Sequence, residues 1–460
     1  MNNNIILDTD SYKASHWLQY PPETRGMYSY LESRGGAYEK TIFFGLQYYL
    51  KRYLTHRVTL EMVAEAEDFF ARHGEPFNAK GWRRIACELE GRLPVAIHAV
   101  PEGTVVPTQN ILMAVESTDP ETFWVVSWLE TLLLRLWFPI TVATRGFYIR
   151  QRIYKSLMET AEAPQEEILF KLHDFGSRGT SSQESAAIGG AAHLVNFRGS
   201  DTAIGVRCAN LFYHEAMAGF SIPAAEHSTV TAWGPEREEE AYRHILKQFA
   251  KPGAMVAVVS DSYNLWTALD KLWGENLKEE VINSGAVVVI RPDSGDPATV
   301  VLSVLQRLES KFGVTLNSKG YKILNTVRVI QGDGVDENTI DKILRLINNA
   351  GYSTTNLAFG MGGALLQQLN RDTLKIAYKC SEITTETGSV PVQKNPITDP
   401  LKRSRSGRLQ LYRQGDWLIT GGVDQVNLGE PLLRCVYKNG EILHETTLDD
   451  VRHLVYGESR

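Results

Sequence analysis

The sequence is poor in cysteine. Its 460 residues contain four, at positions 87, 208, 380 and 435, and no two of them form a C-x-x-C pair. Disulfide frameworks and zinc sites built from cysteine pairs need closely spaced cysteines, so neither is expected. Scattered thiols are typical of a cytosolic protein whose cysteines stay reduced.

The sequence also lacks an uninterrupted apolar stretch of membrane-spanning length. The most apolar segment, 124–143, contains Glu130, Arg135 and Pro139, and it predicts a buried helix that ends near Pro139. The N-terminus has no basic start and only three consecutive apolar residues, so a signal peptide is not expected. These absences predict a cytoplasmic protein that has no membrane partner.

Excess positive charge and several familiar motifs are missing as well. Lys and Arg number 48 against 54 Asp and Glu, a net charge of −6, which disfavours nucleic acid as a partner. There is no G-x-x-x-x-G-K-[ST] loop, no G-x-G-x-x-G at a strand–helix junction and no H-E-x-x-H. A P-loop kinase, a Rossmann dehydrogenase and a zinc enzyme are therefore poor fits.

What the sequence does contain is a βα rhythm between residues 165 and 365. Short β-branched runs end in polar loops rich in Gly and Asp, and helical periodicity follows each loop. Asp261, Asp293, Asp333 and Gly362 follow one another at intervals of 32, 40 and 29 residues. Such spacing is typical of βα units and a parallel sheet. The rhythm stops at Lys375, where antiparallel strands are expected instead.

The loops after these strands carry the candidate binding residues. Arg291 and Asp293 suit a sugar phosphate, since Arg binds phosphate oxygens and Asp binds ribose hydroxyls or Mg²⁺, although a capped turn with a local ion pair is an equal alternative. Gly332, Gly362 and Gly363 would let backbone N–H groups approach a phosphate, whereas tight turns are the structural alternative.

His227 and a basic run near the C-terminus are more ambiguous. His227, between Glu226 and Ser228, could be a general base, a metal ligand, a phosphorylated nucleophile or a structural histidine, and the residues alone favour the last. The basic run of Lys402, Arg403, Arg405 and Arg408 indicates either a solvated loop or a site for small phosphates.

Seven segments, in order along nearly the whole chain, closely resemble the nicotinamide phosphoribosyltransferases of the type II phosphoribosyltransferase family. They are Asp8–Lys13, Lys171–Gly176, Ser181–Glu184, His193–Phe197, Pro223–Ser228, Ile290–Gly295 and Gln331–Asp336. The resemblance implies an irregular α/β barrel, residues 144–372, which carries most of the active site. It also implies an α+β domain built from residues 1–143 and 373–460, and a cytoplasmic homodimer with shared active sites.

The implied reaction joins nicotinamide to phosphoribosyl pyrophosphate, giving nicotinamide mononucleotide and pyrophosphate in NAD salvage. ATP is the implied co-substrate and Mg²⁺ the cofactor, held mainly by pyrophosphate with Asp261 or Asp293 as candidate ligands. The alternatives are a nicotinate phosphoribosyltransferase and a non-catalytic nucleotide-binding protein on the same fold. Asp201 disfavours the first, because a carboxylate repels nicotinate and accepts a hydrogen bond from an amide.

Residue roles implied by the resemblance fall into three groups. His227 is the histidine that ATP phosphorylates, and Arg291, Asp293 and Asp333 complete the catalytic group. Nicotinamide is bound by Phe175, Asp201, Arg178 and the partner subunit's Tyr12. Ribose, phosphate and pyrophosphate are bound by Asp10, Arg178, Arg291, Asp293, Gly332, Asp333, Gly362, Gly363, Arg371, Lys379, Lys394 and Lys402, some from the partner chain. Ser177 and Met361 depart from the family pattern beside the ring and in the glycine loop.

Overall fold

The computed structural model describes residues 4–398 and 403–457, which form two compact units. The first unit comprises Met1–Thr144, Leu211–Glu215 and Asn370–Arg460, and the second, called the barrel unit here, comprises Arg145–Asn210 and Ala216–Leu369. The sequence analysis assigned residues 211–215 to the barrel, whereas they cluster with the first unit.

The strands are numbered along the chain. They are β1 (Thr24–Ser33), β2 (Lys40–Ile42), β3 (Val95–Ala99), β4 (Val105–Pro107), β5 (Asn110–Ser117), β6 (Leu172–Asp174), β7 (Gly199–Ser200), β8 (Met255–Val259), β9 (Val287–Arg291), β10 (Val314–Leu316), β11 (Lys322–Leu324), β12 (Val327–Gln331), β13 (Leu357–Met361), β14 (Ile376–Thr385), β15 (Gly388–Pro391), β16 (Leu409–Gln414), β17 (Trp417–Gly422), β18 (Glu430–Pro431), β19 (Arg434–Lys438) and β20 (Glu441–Ile442).

The α-helices are numbered in the same way. They are α1 (Leu46–Tyr49), α2 (Leu60–His73), α3 (Ala79–Cys87), α4 (Val125–Trp128), α5 (Glu130–Leu134), α6 (Trp137–Thr160), α7 (Pro164–Glu167), α8 (Gln183–His193), α9 (Ala203–Phe212), α10 (His227–Thr231), α11 (Glu238–Phe249), α12 (Leu265–Thr267), α13 (Lys278–Ser284), α14 (Pro297–Phe312), α15 (Glu337–Asn349), α16 (Gly363–Leu366) and α17 (Leu448–Tyr456).

A curled parallel sheet forms the centre of the barrel unit. Its strand order is β7-β6-β13-β12-β9-β8, and every neighbouring pair is parallel. The segment Phe220–Ala225 joins its two ends, since Phe220 accepts a hydrogen bond from Ser200 N–H and Ala225 donates one to Ala257. The predicted parallel sheet is therefore confirmed, and it is bent into a barrel.

The barrel strands are rich in β-branched residues because both faces of a parallel sheet are covered. β9 reads V-V-V-I-R, and its three central residues are buried. Ala257, Val289 and Ile330, from three adjacent strands, form an apolar cluster against which the ring of Phe175 packs. This cluster supports the end of the barrel where the loops discussed below begin.

An antiparallel sheet organises the first unit. Its order, β15-β14-β1-β5-β3-β19-β20, interleaves strands from both ends of the chain. β1 is central and pairs with β14 on one side and β5 on the other. β1 belongs to the N-terminal segment and β14 to the C-terminal segment, so the two segments share one sheet.

The prediction of a helix that ends near Pro139 is wrong. The segment forms α4 and α5, and then α6 begins at Trp137 with Pro139 inside its first turn. Proline is tolerated there because the first N–H groups of a helix have no intrahelical acceptor. Within residues 4–398 and 403–457, no helix is long and apolar enough to cross a membrane.

Candidate active site

The carboxyl ends of the parallel strands bring the predicted barrel residues to one edge. Parallel strands all end at the same edge of a sheet, which is where α/β proteins bind ligands. Each strand from β6 to β9, and β12 and β13, is followed by a predicted residue. These are Phe175 and Arg178 after β6, Asp201 after β7, Asp261 after β8, Arg291 and Asp293 at β9, Gly332 and Asp333 after β12, and Gly362 and Gly363 after β13.

Phe175 lies across the backbone of β13 because residue 360 has no side chain. A Cβ atom placed on Gly360 would lie 2.0 Å from Cε2 of Phe175. The Phe175 N–H donates to the carbonyl of Met361 at 3.0 Å, which ties the residue to the end of β13. The centre of its ring is 5.6 Å from the Arg291 guanidinium carbon, a cation–π contact.

A chain of polar contacts leads from Arg291 to His227. The Arg291 guanidinium donates to both carboxylate oxygens of Asp293 at 2.9–3.0 Å. The Asp293 N–H donates to Oδ2 of Asp261 at 3.2 Å, and Oδ1 of Asp261 lies 3.0 Å from Nε2 of His227. Four of the predicted residues are thus joined by one continuous chain of polar contacts.

Asp261, rather than the neighbouring Glu226, orients the His227 ring. The Asp261 side chain is only 4 % exposed, whereas His227 is 47 % exposed at the start of α10. Glu226 instead accepts a hydrogen bond from the Ser228 hydroxyl. Because a carboxylate only accepts hydrogen bonds, Nε2 of His227 is the donor in this contact, and Nδ1 is the ring nitrogen that does not face Asp261.

Asp201 and Asp174 lie side by side at the ends of β7 and β6. Asp201 N–H donates to the Asp174 carbonyl at 2.9 Å, and the Ser221 hydroxyl donates to the Asp201 carboxylate. Burial raises the pKa of the Asp174 carboxyl to about 6, although a hydrogen bond from Gly176 N–H opposes the rise. Asp201 itself is exposed, so its carboxylate is available to a ligand.

The remaining barrel residues are open to a ligand. Arg178 and Asp333 are exposed, and a Cβ atom on Gly363 would meet no atom within 4 Å. Among the described residues no group of His, Cys, Asp and Glu could hold a metal ion. Asp261 and Asp293, the carboxylates predicted as candidate Mg²⁺ ligands, are already bonded to His227 and Arg291 respectively.

The predicted phosphate ligands of the C-terminal segment line a cavity of about 1390 Å³ in the first unit. The lining is strongly basic, with seven Lys and Arg residues against three carboxylates. The basic residues are Arg34, Arg371, Lys375, Lys379, Lys394, Arg403 and Arg405. Such a cluster of cations suits polyanions such as phosphates.

Lys379 shows how crowded these cations are. Burial lowers the pKa of the Lys379 ammonium, and the neighbouring charges of Arg34, Lys394 and Arg371 lower it further, while Glu130 raises it. A bound anion would relieve this repulsion. Lys402, also predicted as a phosphate ligand, lies outside the described residues.

Asp10 and Tyr12 belong to the first unit, at the start of the 3₁₀ segment Ser11–Leu18. The Asp10 carboxylate accepts a hydrogen bond from the Thr131 hydroxyl at 2.7 Å. Tyr12 is 57 % exposed, and its ring makes an edge contact with the His16 ring at 4.9 Å between ring centres. Its predicted place opposite Phe175 of another subunit stays a prediction.

Several residues of these sites were not given roles by the sequence analysis. Asp174, Ser221 and Gly360 contact the predicted ring-binding residues, and Arg34 follows the end of β1, remote in sequence from the C-terminal basic run. Asp174 and Gly360 lie within conspicuous strand-end motifs, so a signal existed for them. No sequence signal places Arg34 beside Lys379.

Comparison with known proteins gives a consistent result. The family model described as "Nicotinate phosphoribosyltransferase (NAPRTase) family" matches residues 170–441, and "Nicotinamide phosphoribosyltransferase, N-terminal domain" matches residues 4–97. The chain is 53 % identical over 456 residues to a nicotinamide phosphoribosyltransferase of Xanthomonas campestris pv. campestris, covering 98 % of this chain and 97 % of that relative. A relative of the same name from Acinetobacter baylyi is 30 % identical, and the match covers 98 % of this chain and 96 % of that relative.

Solved structures support the fold. Nicotinate-nucleotide pyrophosphorylase from Pyrococcus furiosus superposes with a TM-score of 0.65 at 16 % identity, covering 99 % of this chain and 96 % of that one. Human nicotinic acid phosphoribosyltransferase superposes with a TM-score of 0.60 at 17 % identity, covering 97 % of this chain and 92 % of that one. The predicted fold class, an irregular α/β barrel with an added α+β part, is confirmed.

Replacing Gly360 by alanine is expected to displace the Phe175 ring. The new Cβ atom overlaps Cε2, so the ring must leave the backbone of β13, and such overpacking costs about 1–3 kcal/mol of stability. Thermal unfolding and a crystal structure of Gly360→Ala measure the two effects. Gly363→Ala, whose Cβ meets open space, is the matched control for stability. An unmoved ring with unchanged stability would contradict this account of the contact.

Proposed function

This chain belongs to the nicotinate phosphoribosyltransferase (NAPRTase) family of glycosyltransferases, and we propose that it transfers the phosphoribosyl group of phosphoribosyl pyrophosphate to nicotinamide. The products are nicotinamide mononucleotide and pyrophosphate, and the reaction belongs to NAD salvage in the cytoplasm. The relatives named above, at 53 % and 30 % identity, support this activity.

The observation that carries the choice of nicotinamide over nicotinate is the exposed carboxylate of Asp201. The backbone carbonyl of Asp174 accepts a hydrogen bond from Asp201 N–H. The next residue, Phe175, offers an aromatic face for the pyridine ring. Asp201 then accepts a hydrogen bond from the carboxamide N–H, whereas the carboxylate of nicotinate would be repelled. Ser221, which donates to Asp201, keeps that carboxylate oriented.

The reaction needs little acid–base chemistry. The pyridine nitrogen of nicotinamide is neutral and unprotonated, so it attacks C1 of the ribose without a general base. The barrier lies in the departure of pyrophosphate from a centre with oxocarbenium character. Arg178 and Arg291 stabilise the leaving negative charge, and Asp293 and Asp333 stabilise the positive charge that develops on the ribose. Mg²⁺ held mainly by pyrophosphate would supply further positive charge, and Asp261 and Asp293 are its candidate protein ligands.

ATP hydrolysis is coupled through His227. The neutral imidazole attacks the γ-phosphorus through Nδ1, the bond from that phosphorus to the bridging oxygen breaks, and ADP leaves. Asp261 accepts a hydrogen bond from Nε2–H and stabilises the positive charge that the ring gains. Water later hydrolyses the N–P bond. The phosphorylated ring adds negative charge at the end of the chain of contacts that leads to Arg291.

The basic cavity of the first unit completes the site across a homodimer. Lys379, Lys394 and Arg371 supply cations for phosphate groups, while the barrel unit supplies the ring-binding and ribose-binding residues. The exposed ring of Tyr12 covers the second face of nicotinamide in the partner's barrel. Arg371 and Lys379 lie in the same cavity as Arg34, which supports a single anion-binding surface.

Substrate choice is tested by replacing Asp201 with asparagine. The wild type is expected to prefer nicotinamide, and Asp201→Asn to lower that preference about tenfold or more, because the amide can donate to the carboxylate of nicotinate. The measurement is kcat/KM for each ring substrate, with and without ATP. Asp336→Asn, which removes the same charge yet still caps α15, is the matched control. A wild type that prefers nicotinate would replace this proposal by the alternative activity, and one without turnover would favour the nucleotide-binding alternative.

The role of His227 is tested by labelling with γ-labelled ATP. The wild type is expected to form an acid-labile, base-stable phosphoprotein, and His227→Ala to form none. Slow ATP-independent synthesis should persist in this variant, because the attacking nitrogen belongs to nicotinamide. Asp261→Asn should label more slowly, since its amide no longer stabilises the charged ring. His244→Ala, an exposed histidine on α11, should label normally. If His227→Ala were still labelled, His227 would not be the phosphorylated residue and its role would be structural.

Shared sites are tested by mixing two inactive variants. Lys379→Ala removes a cation of the first unit and Arg291→Ala removes one of the barrel unit. Random mixing should restore about a quarter of wild-type activity, since half of the dimers are mixed and each mixed dimer has one intact site. Differently tagged subunits purified together verify the mixing. Verified mixed dimers without activity would contradict sites built from two chains.

A further inference from the structure

Asp174 is a completely buried carboxylate to which the reaction described above gives no role. It is the last residue of β6, and its side chain is 0 % exposed. Its Oδ2 atom faces the Thr202 side chain and the crossing of α8 and α9. Burying a carboxylate costs stability unless it is hydrogen-bonded, so the bonds that Asp174 makes matter to the structure around it.

The other polar atoms of Asp174 bind the two elements that form the ring subsite. Oδ1 accepts a hydrogen bond from Gly176 N–H at 2.7 Å, which closes the turn that carries Phe175. The backbone carbonyl accepts from Asp201 N–H at 2.9 Å. One residue therefore holds both the aromatic face and the carboxylate that recognise the ring substrate.

The buried side of Asp174 rests on a close crossing of α8 and α9. A Cβ atom on Gly190 would lie 2.8 Å from Cα of Gly205, so the two helices meet through glycines. The same Cβ position is 3.4 Å from Oδ2 of Asp174 and 3.1 Å from Cγ2 of Thr202. The carboxyl group therefore cannot move toward this crossing unless the two helices separate.

We propose that Asp174 is a positioning residue that determines the preference for a pyridine carboxamide, because its Oδ1 holds the Phe175–Gly176 turn in register with Asp201. This inference rests on the proposed function, in which Phe175 and Asp201 recognise the ring and its amide. Without the Oδ1 acceptor, the buried Gly176 N–H loses its partner and the turn moves relative to Asp201. The His227 chemistry belongs to another loop and stays as it is.

The test compares Asp174→Asn, which retains an oxygen at the Oδ1 position, with Asp174→Ala, which does not. Asp174→Ala should raise KM for nicotinamide about tenfold and lower the kcat/KM preference for nicotinamide over nicotinate, whereas the labelling of His227 stays within about twofold. Asp174→Asn should keep KM and the preference close to wild type. A crystal structure of each variant should show the Phe175–Gly176 turn displaced in the alanine variant alone.

Glu102 is the matched control because it is also a buried carboxylate that accepts two backbone N–H bonds, from Gly45 and Gln47, in the first unit. Glu102→Gln and Glu102→Ala should change thermal stability without changing the amide preference. The proposal is overturned if Asp174→Ala keeps the turn and the nicotinamide KM. It is also overturned if Asp174→Asn raises KM as much as alanine would, and this variant decides the question if alanine prevents folding. Failure of the wild type to use nicotinamide counts against the proposed function, while the position of the turn still tests Asp174.

Discussion

The contact chain from Phe175 to His227 is the arrangement on which the barrel site depends. Arg291 lies between the Phe175 ring and the Asp293 carboxylate, and Asp261 joins the backbone of Asp293 to the imidazole. Each partly buried charge is satisfied by the next member, so removing one leaves its neighbour unpaired at a cost that exceeds the strength of the lost bond.

That arrangement exists because the strands are parallel. Their carboxyl ends share one edge, and loops that are 29 to 40 residues apart in sequence become neighbours. The backbone of β13 adds a second constraint, since Gly360 leaves the space that Phe175 fills. A side chain at this point would move the ring away from Arg291 and from Asp201 together.

The two units carry complementary charges. Carboxylates predominate at the barrel edge, where Asp201, Asp261, Asp293 and Asp333 follow their strands, while cations crowd the cavity of the first unit. The charges of Arg34, Lys394 and Arg371 lower the pKa of Lys379, so a bound anion would relieve the repulsion among these cations.

Much of the fold could be predicted from the sequence because local patterns encode it. The β-branched runs and their polar loops predicted the parallel βα units of the barrel, and the motifs at the strand ends predicted residues that lie along one edge of the sheet. The helix near Pro139 failed because a proline that ends one helix and a proline that begins another look alike in one dimension. Only the hydrogen bonds of the preceding residues distinguish the two cases.

The sequence by itself determined the βα order, the family motifs and the chemical types of the residues at the site. Tertiary structure alone decided which residues are partners: that Asp261 and not Glu226 orients His227, that Arg34 joins Lys379, and that Asp174 faces the glycine crossing of α8 and α9. The physical reason is that propensity and periodicity act over a few residues. Hydrogen bonds and buried charges instead depend on distances that appear only when remote segments pack together.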